Sequence, residues 1–226
     1  MPDNADFVHT LLGYLHQRDW RAAPQYLGQD VNGREILTFL PGEVPWSLPF
    51  PEYVTQDRNL YLTGQLARQL HDLTRDTTLS GHYDVVCHRD LCPKNTVYQD
   101  LGNGLQPVGL IDWDTAQPGN PQDDLAQLCW QTLRLGPTIT DLILAAHRIR
   151  IIFSGYGAHA PAELILQIIN CQQGLINHIE TGLPNNQPDA ILLHTRGDLD
   201  DVRAELHWTQ QNEAELSRHL GWGDRR

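Results

Sequence analysis

Apolar residues recur at helical spacing at the front of the chain. Phe7, Leu11, Leu12 and Leu15 fall on one side of a helix that opens at Asp6, a fair N-cap, and runs to about Arg18. The period then shortens. Glu35-Ile36-Leu37-Thr38-Phe39-Leu40 reads as a strand, and Asp30-Val31-Asn32-Gly33-Arg34 ahead of it holds the Asn-Gly pair that signals a hairpin. Pro41-Gly42 ends this unit as a natural hinge. From Tyr53 to Thr74 the helical period returns, with Leu60, Leu66, Ala67, Leu70 and Leu73 apolar and Arg58, Arg68 and Asp72 polar. Its His71 is expected to be a capping or buried hydrogen-bonding residue. Short apolar runs follow, pairing Thr96–Gln99 with Pro107–Ile111 as a hairpin across Asp100–Gly104. Thr115–Pro121 is rich in turn formers and reads as a loop. The remainder predicts helices over Asp124–Leu135, Ile139–Phe153, Pro161–Thr181, around Pro188–His194, and Asp198–His219.

Composition narrows the class. A chain of 226 residues, 40% hydrophobic and 19% charged, has ample material for one domain or for two small lobes sharing a cleft. A formal charge of −12 excludes a nucleic-acid partner, which demands a basic face, and suits a cationic small molecule. No apolar stretch is long enough to span a membrane, and Met1–Asp6 carries neither the basic nor the apolar region of a secretion signal, so a cytoplasmic protein is expected. Cys87, Cys92, Cys129 and Cys171 show no paired ligand spacing; reduced, half-buried thiols are the expectation.

The chemistry concentrates between Val85 and Asp114. An apolar run leads into His88-Arg89-Asp90, four residues follow, then Asn95; a second run ends in Ile111-Asp112-Trp113-Asp114. Phosphoryl transfer needs a carboxylate to accept or orient the attacking hydroxyl's proton, and oxygen donors to hold Mg²⁺ on the phosphates. Asp90 suits the first task. Asn95 and Asp112 suit the second, because Mg²⁺ prefers carboxylate and amide oxygens to nitrogen or sulfur. Asp90 and Asn95 share one loop, and the hairpin after them would bring Asp112 alongside. An isolated His-x-Asp carries little information, since acidic residues at strand ends are commonly turn formers. Two correctly spaced pieces in the correct order carry much more.

His88-x-Asp90-x4-Asn95 followed by Ile111-Asp112-Trp113-Asp114, without Asp-Phe-Gly, resembles the aminoglycoside phosphotransferase and choline kinase-like small-molecule kinases. The resemblance implies an α+β, protein kinase-like fold. Residues 1–42 would form a truncated small lobe of one helix and a β-hairpin, and residues 43–226 a mainly helical large lobe. It implies Mg²⁺ with ATP or GTP as cofactor, adenine lying near Phe39, Leu40 and Ile111, and His88 supporting the loop. Asp124-Leu125-Ala126 looks like the family's Asp-Leu-Ala, whose Asp braces the catalytic loop. A small-molecule acceptor would sit by the late helices, with Asp114 and Glu180, and also His178 and His207, as candidates.

The departure from the family lies at the front. No Gly-x-Gly-x-x-Gly occurs, and the only lysine is Lys94, inside the catalytic-type loop. Arg18, Arg21 and Arg34 are the nearest cations. By analogy with arginine fingers, one missing phosphate cation costs roughly 3–5 powers of ten in rate. Two readings follow: a phosphotransferase whose clamp is supplied otherwise, or a kinase-like binding or regulatory module. In the second, a lidless groove exposes apolar surface and a homodimer through that face is expected.

Overall fold

The computed structural model describes residues 4–221. The ends of the two expected lobes, residues 1–3 and 222–226, lie outside the described residues. Helix α1 (Ala5–Gln17) buries Val8, Leu11, Leu12 and Leu15 on one face, the stripe the periodicity marked. A hairpin follows, β1 (Tyr26–Gln29) antiparallel to β2 (Glu35–Leu37). Asp30 shapes its turn by accepting from the Asn32 and Arg34 amides. The strand expected to reach Leu40 stops at Leu37, and all three of its residues are exposed.

Gly42 marks the joint to the rest. Its φ is +145°, and a Cβ there would meet the Tyr98 carbonyl oxygen at 2.5 Å, so only glycine lets the chain pass. Glu43 then bridges to Tyr98 through reciprocal 2.7 Å backbone hydrogen bonds. The helix expected from Tyr53 is in fact a single 3₁₀ turn, Glu52–Thr55, an extended Gln56, and helix α2 (Asp57–Thr74).

Strand β3 (Val85–Cys87) leads into the motif loop. β4 (Thr96–Asp100) and β5 (Leu105–Leu110) form the expected hairpin, with a bulge at Val97/Tyr98. The expected loop at 115–121 contains a strand instead: β6 (Gln117–Gly119) pairs antiparallel with β3. Helix α3 (Pro121–Leu133) starts three residues before the expected Asp124, because Asn120 and Asp123 form a capping box and Pro121 takes the first helical position. Asp124 is therefore an interior helix residue and not a cap. Helices α4 (Leu142–Tyr156), α5 (Leu164–Gly182), α6 (Pro188–Thr195) and α7 (Asp198–His219) complete the chain. α4 and α5 begin three residues later than expected, α4 at its Asp141 cap, and α4 ends at Gly157 in the left-handed region.

The core is built between α2, α3, α4, α5 and α7. α2 and α4 cross at van der Waals contact of their backbones: Gly64 faces the Ile152 carbonyl and Gly155 faces that of Tyr61, with no room for a Cβ at either. The layout is a mainly helical body carrying two small two-stranded sheets, with α1 packed onto the same core and the β1–β2 hairpin at the front. Cys87, Cys92 and Cys129 are buried, more deeply than expected, and Cys171 is intermediate; all four are free. No helix among the described residues is long and apolar enough to cross a membrane.

Candidate active site

The motif loop is held from behind by one carboxylate. Asp124, fully buried on α3, accepts from the His88 amide (2.8 Å) and, with its other oxygen, from the Arg89 amide (2.8 Å). Arg89 has φ +68°, a conformation that non-glycine residues adopt at some cost, and this pair of hydrogen bonds fixes it. Asp124 in turn accepts from His71 Nε2 (3.0 Å), whose Nδ1 meets the Tyr156 hydroxyl at 3.0 Å. Burial opposes ionisation of Asp124, yet these donors and the His71 ring hold its carboxyl below the ordinary range. The expectation for His71 is met: it is buried and structural.

Cys87 lies close enough to His71 and Asp124 for the three to resemble a metal-ligand set. They are already committed to one another and to the loop. Both Asp124 oxygens are occupied, Cys87 Sγ donates to the Asn120 carbonyl, and burial pushes its thiol pKa far up, away from the thiolate a metal needs.

At the front of the loop, Asn95 is buried and its Nδ2 donates to Asp90 Oδ2 (2.7 Å) and to the Asp90 carbonyl (3.0 Å). Gln127 on α3 donates to Asp90 Oδ1 at 3.3 Å. Asp90 therefore has an amide donor on each of its two carboxyl oxygens. Asp112 is brought alongside because the Ile111 amide donates to the Asn95 carbonyl (2.9 Å), closing the hairpin at its open end. Asp112 also has a left-handed φ, +64°. Partial burial raises its pKa, and the charges of Asp114 and Asp90 raise it further. Asp90 and Asn95 are thus in direct contact, and the hairpin end that carries Asp112 is tied to Asn95 through Ile111, close enough for the Asp90 charge to act on Asp112.

His88 sits beneath them. Its Nε2 donates to the Ile111 carbonyl (3.1 Å), the residue before Asp112, and its ring packs on Trp113 at 4.6 Å. Because a carbonyl can only accept, Nε2 carries the proton, leaving the buried Nδ1 without a partner. Burial lowers the His88 pKa against its acidic neighbours, so the ring is a neutral strut. Thr115 Oγ1 donates to the His88 carbonyl, a further brace.

Asn95 Nδ2 is consumed by Asp90, while among the described residues neither the Asn95 side-chain oxygen nor the Asp112 carboxylate takes part in a hydrogen bond or ion pair. That oxygen-rich set, with two mutually repelling carboxylates, fits Mg²⁺.

The other expected site residues divide. Asp114 is exposed, and Asn4 donates to its carbonyl. Ile111 is half-buried at the site. Leu40 lines a cavity of about 280 Å³ with Arg21, Ala22, Pro41, Gln99, Val108 and Gly109, away from the motif residues. Phe39 is 83% exposed and does not line that cavity. Glu180 pairs with Arg203 on α7 at 2.6 Å and His178 with Asp189 on α6 at 2.7 Å, while His207 bonds Gln211 one turn along its own helix. Their partners are on the late helices, none on the motif loop. The candidate cations have local partners: Arg18 over the Tyr14 ring, Arg21 on Asp19 and Arg34 on Asp30. Gln127 and Tyr156 escaped sequence reasoning because their partners lie 37 and 85 residues away.

Residues 80–162 match the phosphotransferase enzyme family. The trifolitoxin immunity protein of Rhizobium leguminosarum bv. trifolii is 33% identical over 178 residues, covering 66% of this chain and 63% of that protein, so the match spans under two thirds of the relative's length. Among solved structures, the GDP and kanamycin complex of APH(2")-IIia is similar with a TM-score of 0.58 and 15% identity, covering 94% of this chain and 84% of the other. The GDP complex of wild-type aminoglycoside 2'-phosphotransferase-IIIa gives 0.55 and 13%, covering 94% and 85%.

Proposed function

We propose that the chain, whose residues 80–162 match the phosphotransferase enzyme family and whose fold is that of the aminoglycoside enzymes, transfers a phosphoryl group from a magnesium–nucleotide to a hydroxyl of a small, cationic molecule. The observation that carries this reading is the arrangement of Asp90, Asn95 and Asp112 on the two ends of one hairpin, joined by the Ile111–Asn95 hydrogen bond.

In this reading Asp90 accepts or orients the proton of the acceptor hydroxyl, its anion held in place by Asn95 and Gln127. The Asn95 side-chain oxygen and the Asp112 carboxylate hold Mg²⁺, which when bound neutralises charge on the donor phosphates. His88 fixes the carbonyl next to Asp112 and carries no proton in the reaction. Asp124 sets the loop without touching substrate. ATP or GTP is the donor, with Ile111 on the base side, and Asp114 faces the acceptor. The curated relative's name adds a toxin to an aminoglycoside as acceptor classes to try.

A second reading is favoured by one observation: Arg18, Arg21 and Arg34 are occupied by local partners, and the front hairpin leaves Leu27, Ile36, Leu37 and Phe39 exposed. A kinase-like binding or regulatory module, paired as a homodimer through that face, would look the same.

Purified protein with Mg²⁺ and either nucleotide, assayed against aminoglycosides, amino alcohols and sugars, separates the two. Turnover that disappears in Asp90→Asn supports the enzyme. No transfer to any acceptor, with no Mg²⁺-dependent thermal shift by nucleotide, sinks it in favour of the module.

A further inference from the structure

A second cavity, of about 230 Å³, opens on the other side of the molecule's central brace, between the end of α2, the first turn of α3 and the segment that follows α4. Arg68, Arg75, Gln122 and His159 form its polar rim, and Phe153 and Tyr156 lie among its apolar walls. No carboxylate lines it, in a chain whose formal charge is −12. Arg68 is partly engaged, with Nε on Asp72 (2.7 Å) and Nη1 on the Tyr156 carbonyl (3.3 Å). Arg75 is exposed, and its guanidinium makes no hydrogen bond or ion pair among the described residues. The first turn of α3 adds the positive end of a 13-residue helix.

Two guanidinium groups and an imidazole around this hollow make a receptor for an anionic head on an apolar body. Arginine forks match carboxylate and phosphate oxygens, and, with the Phe153 and Tyr156 rings themselves buried, Pro121, Ala158 and Pro161 offer the apolar contact to the remainder. An acidic protein that gathers cations around a concave, carboxylate-free surface attracts such a ligand locally while its overall field repels anions elsewhere.

We propose that this cavity binds a small amphipathic anion, a carboxylate or phosphate ester on an aromatic or alicyclic body, at a site separate from the Asp90–Asp112 cleft. Occupancy is felt at the motif loop. Tyr156, part of the cavity wall, is the outer end of the buried chain that runs through His71 and Asp124 to the His88 and Arg89 amides. A ligand that draws Arg68 or Arg75 toward itself changes what surrounds the Tyr156 ring and hydroxyl, three hydrogen bonds from the loop. The proposal does not depend on catalysis.

Phenyl phosphate, benzoate, inorganic phosphate and phenol titrated calorimetrically into the full chain test it. Saturable binding of phenyl phosphate or benzoate is expected, with phenol inert; which of the two binds tighter assigns the head group. Arg75→Gln should weaken binding about tenfold, the effect of one lost charge-assisted contact, and His159→Gln should weaken it less. Hydrogen exchange at the His88 and Arg89 amides should slow or quicken when the ligand is present. Absence of saturable heat up to millimolar ligand overturns the proposal, as does binding indifferent to Arg75→Gln. Displacement of the bound anion by magnesium–nucleotide also overturns it, because it places the anion in the cleft.

Discussion

The back of the motif loop and the front hairpin are built in opposite ways. Behind the loop, Asp124, His71, His88 and Tyr156 are buried and knit by hydrogen bonds that reach from α3 through α2 to α4, with Trp113 packed on the His88 ring. At the front, β2 exposes every residue, and Leu27, Ile36, Leu37 and Phe39 stand in solvent. A loop that must hold two left-handed, non-glycine residues, Arg89 and Asp112, needs that dense support. A surface that receives a ligand or a partner needs the reverse. The contrast separates where the chain stores order from where it offers contact.

The largest blow to that contrast should come from the helix crossing beneath the brace. Gly155→Val drives a side chain into the Tyr61 carbonyl, and a loss of about 3 kcal/mol or more in chemical denaturation is expected. A variant as stable as the parent would show that the crossing is looser than described.

Next comes Asp124→Asn. It leaves His71 and two loop amides with a weaker acceptor, and should cost about 2–3 kcal/mol at neutral pH. The sign with pH follows from the direction of the shift. Asp124 is held below its unfolded value, so its contribution is present above about pH 4 and fades as pH falls through the folded pKa. Parent and variant should therefore converge in strong acid; a gap that persists there would assign the loss to packing.

Asp112 behaves in the opposite sense and more weakly. Its pKa is raised in the fold, so its ionised form opposes folding at neutral pH and this penalty is relieved as pH falls. Asp112→Asn should slightly raise the thermal midpoint of the ligand-free protein while abolishing any stabilisation by Mg²⁺ with nucleotide. A variant that loses stability, or keeps the Mg²⁺ effect, would count against the metal assignment.

The smallest effect belongs to the front. Phe39→Ser and Ile36→Thr should leave stability within about 0.5 kcal/mol. A larger, concentration-dependent loss would mean that a second copy covers this face in solution.

Much of the site was readable from the chain, because phosphoryl transfer restricts the residue types and a hairpin restricts their spacing. The helices were readable in number, since their apolar stripes carry the period. The starts of α6 and α7 were readable too, but those of α2 to α5 were not. Pro121 looked like the end of a loop but is the first turn of α3, and Gln117-Pro118-Gly119 looked like a turn but pairs with β3. Three residues give no room for alternation to show. Asp124 could be matched to a brace by resemblance alone; its bond with His71 spans 53 residues, that of His71 with Tyr156 spans 85, and neither leaves a local trace.

Asn95 immediately precedes β4 and Asp112 follows β5, and the Ile111–Asn95 hydrogen bond ties those two ends together. Their separation is thus a property of a single ribbon and not of how the front segment is posed against the body. Hinge movement about Gly42 can widen or narrow the mouth without disassembling the cation seat. If the chain is the phosphotransferase proposed above, tuning by such movement would therefore register in how readily nucleotide and acceptor enter and leave, with the grip on magnesium unaltered.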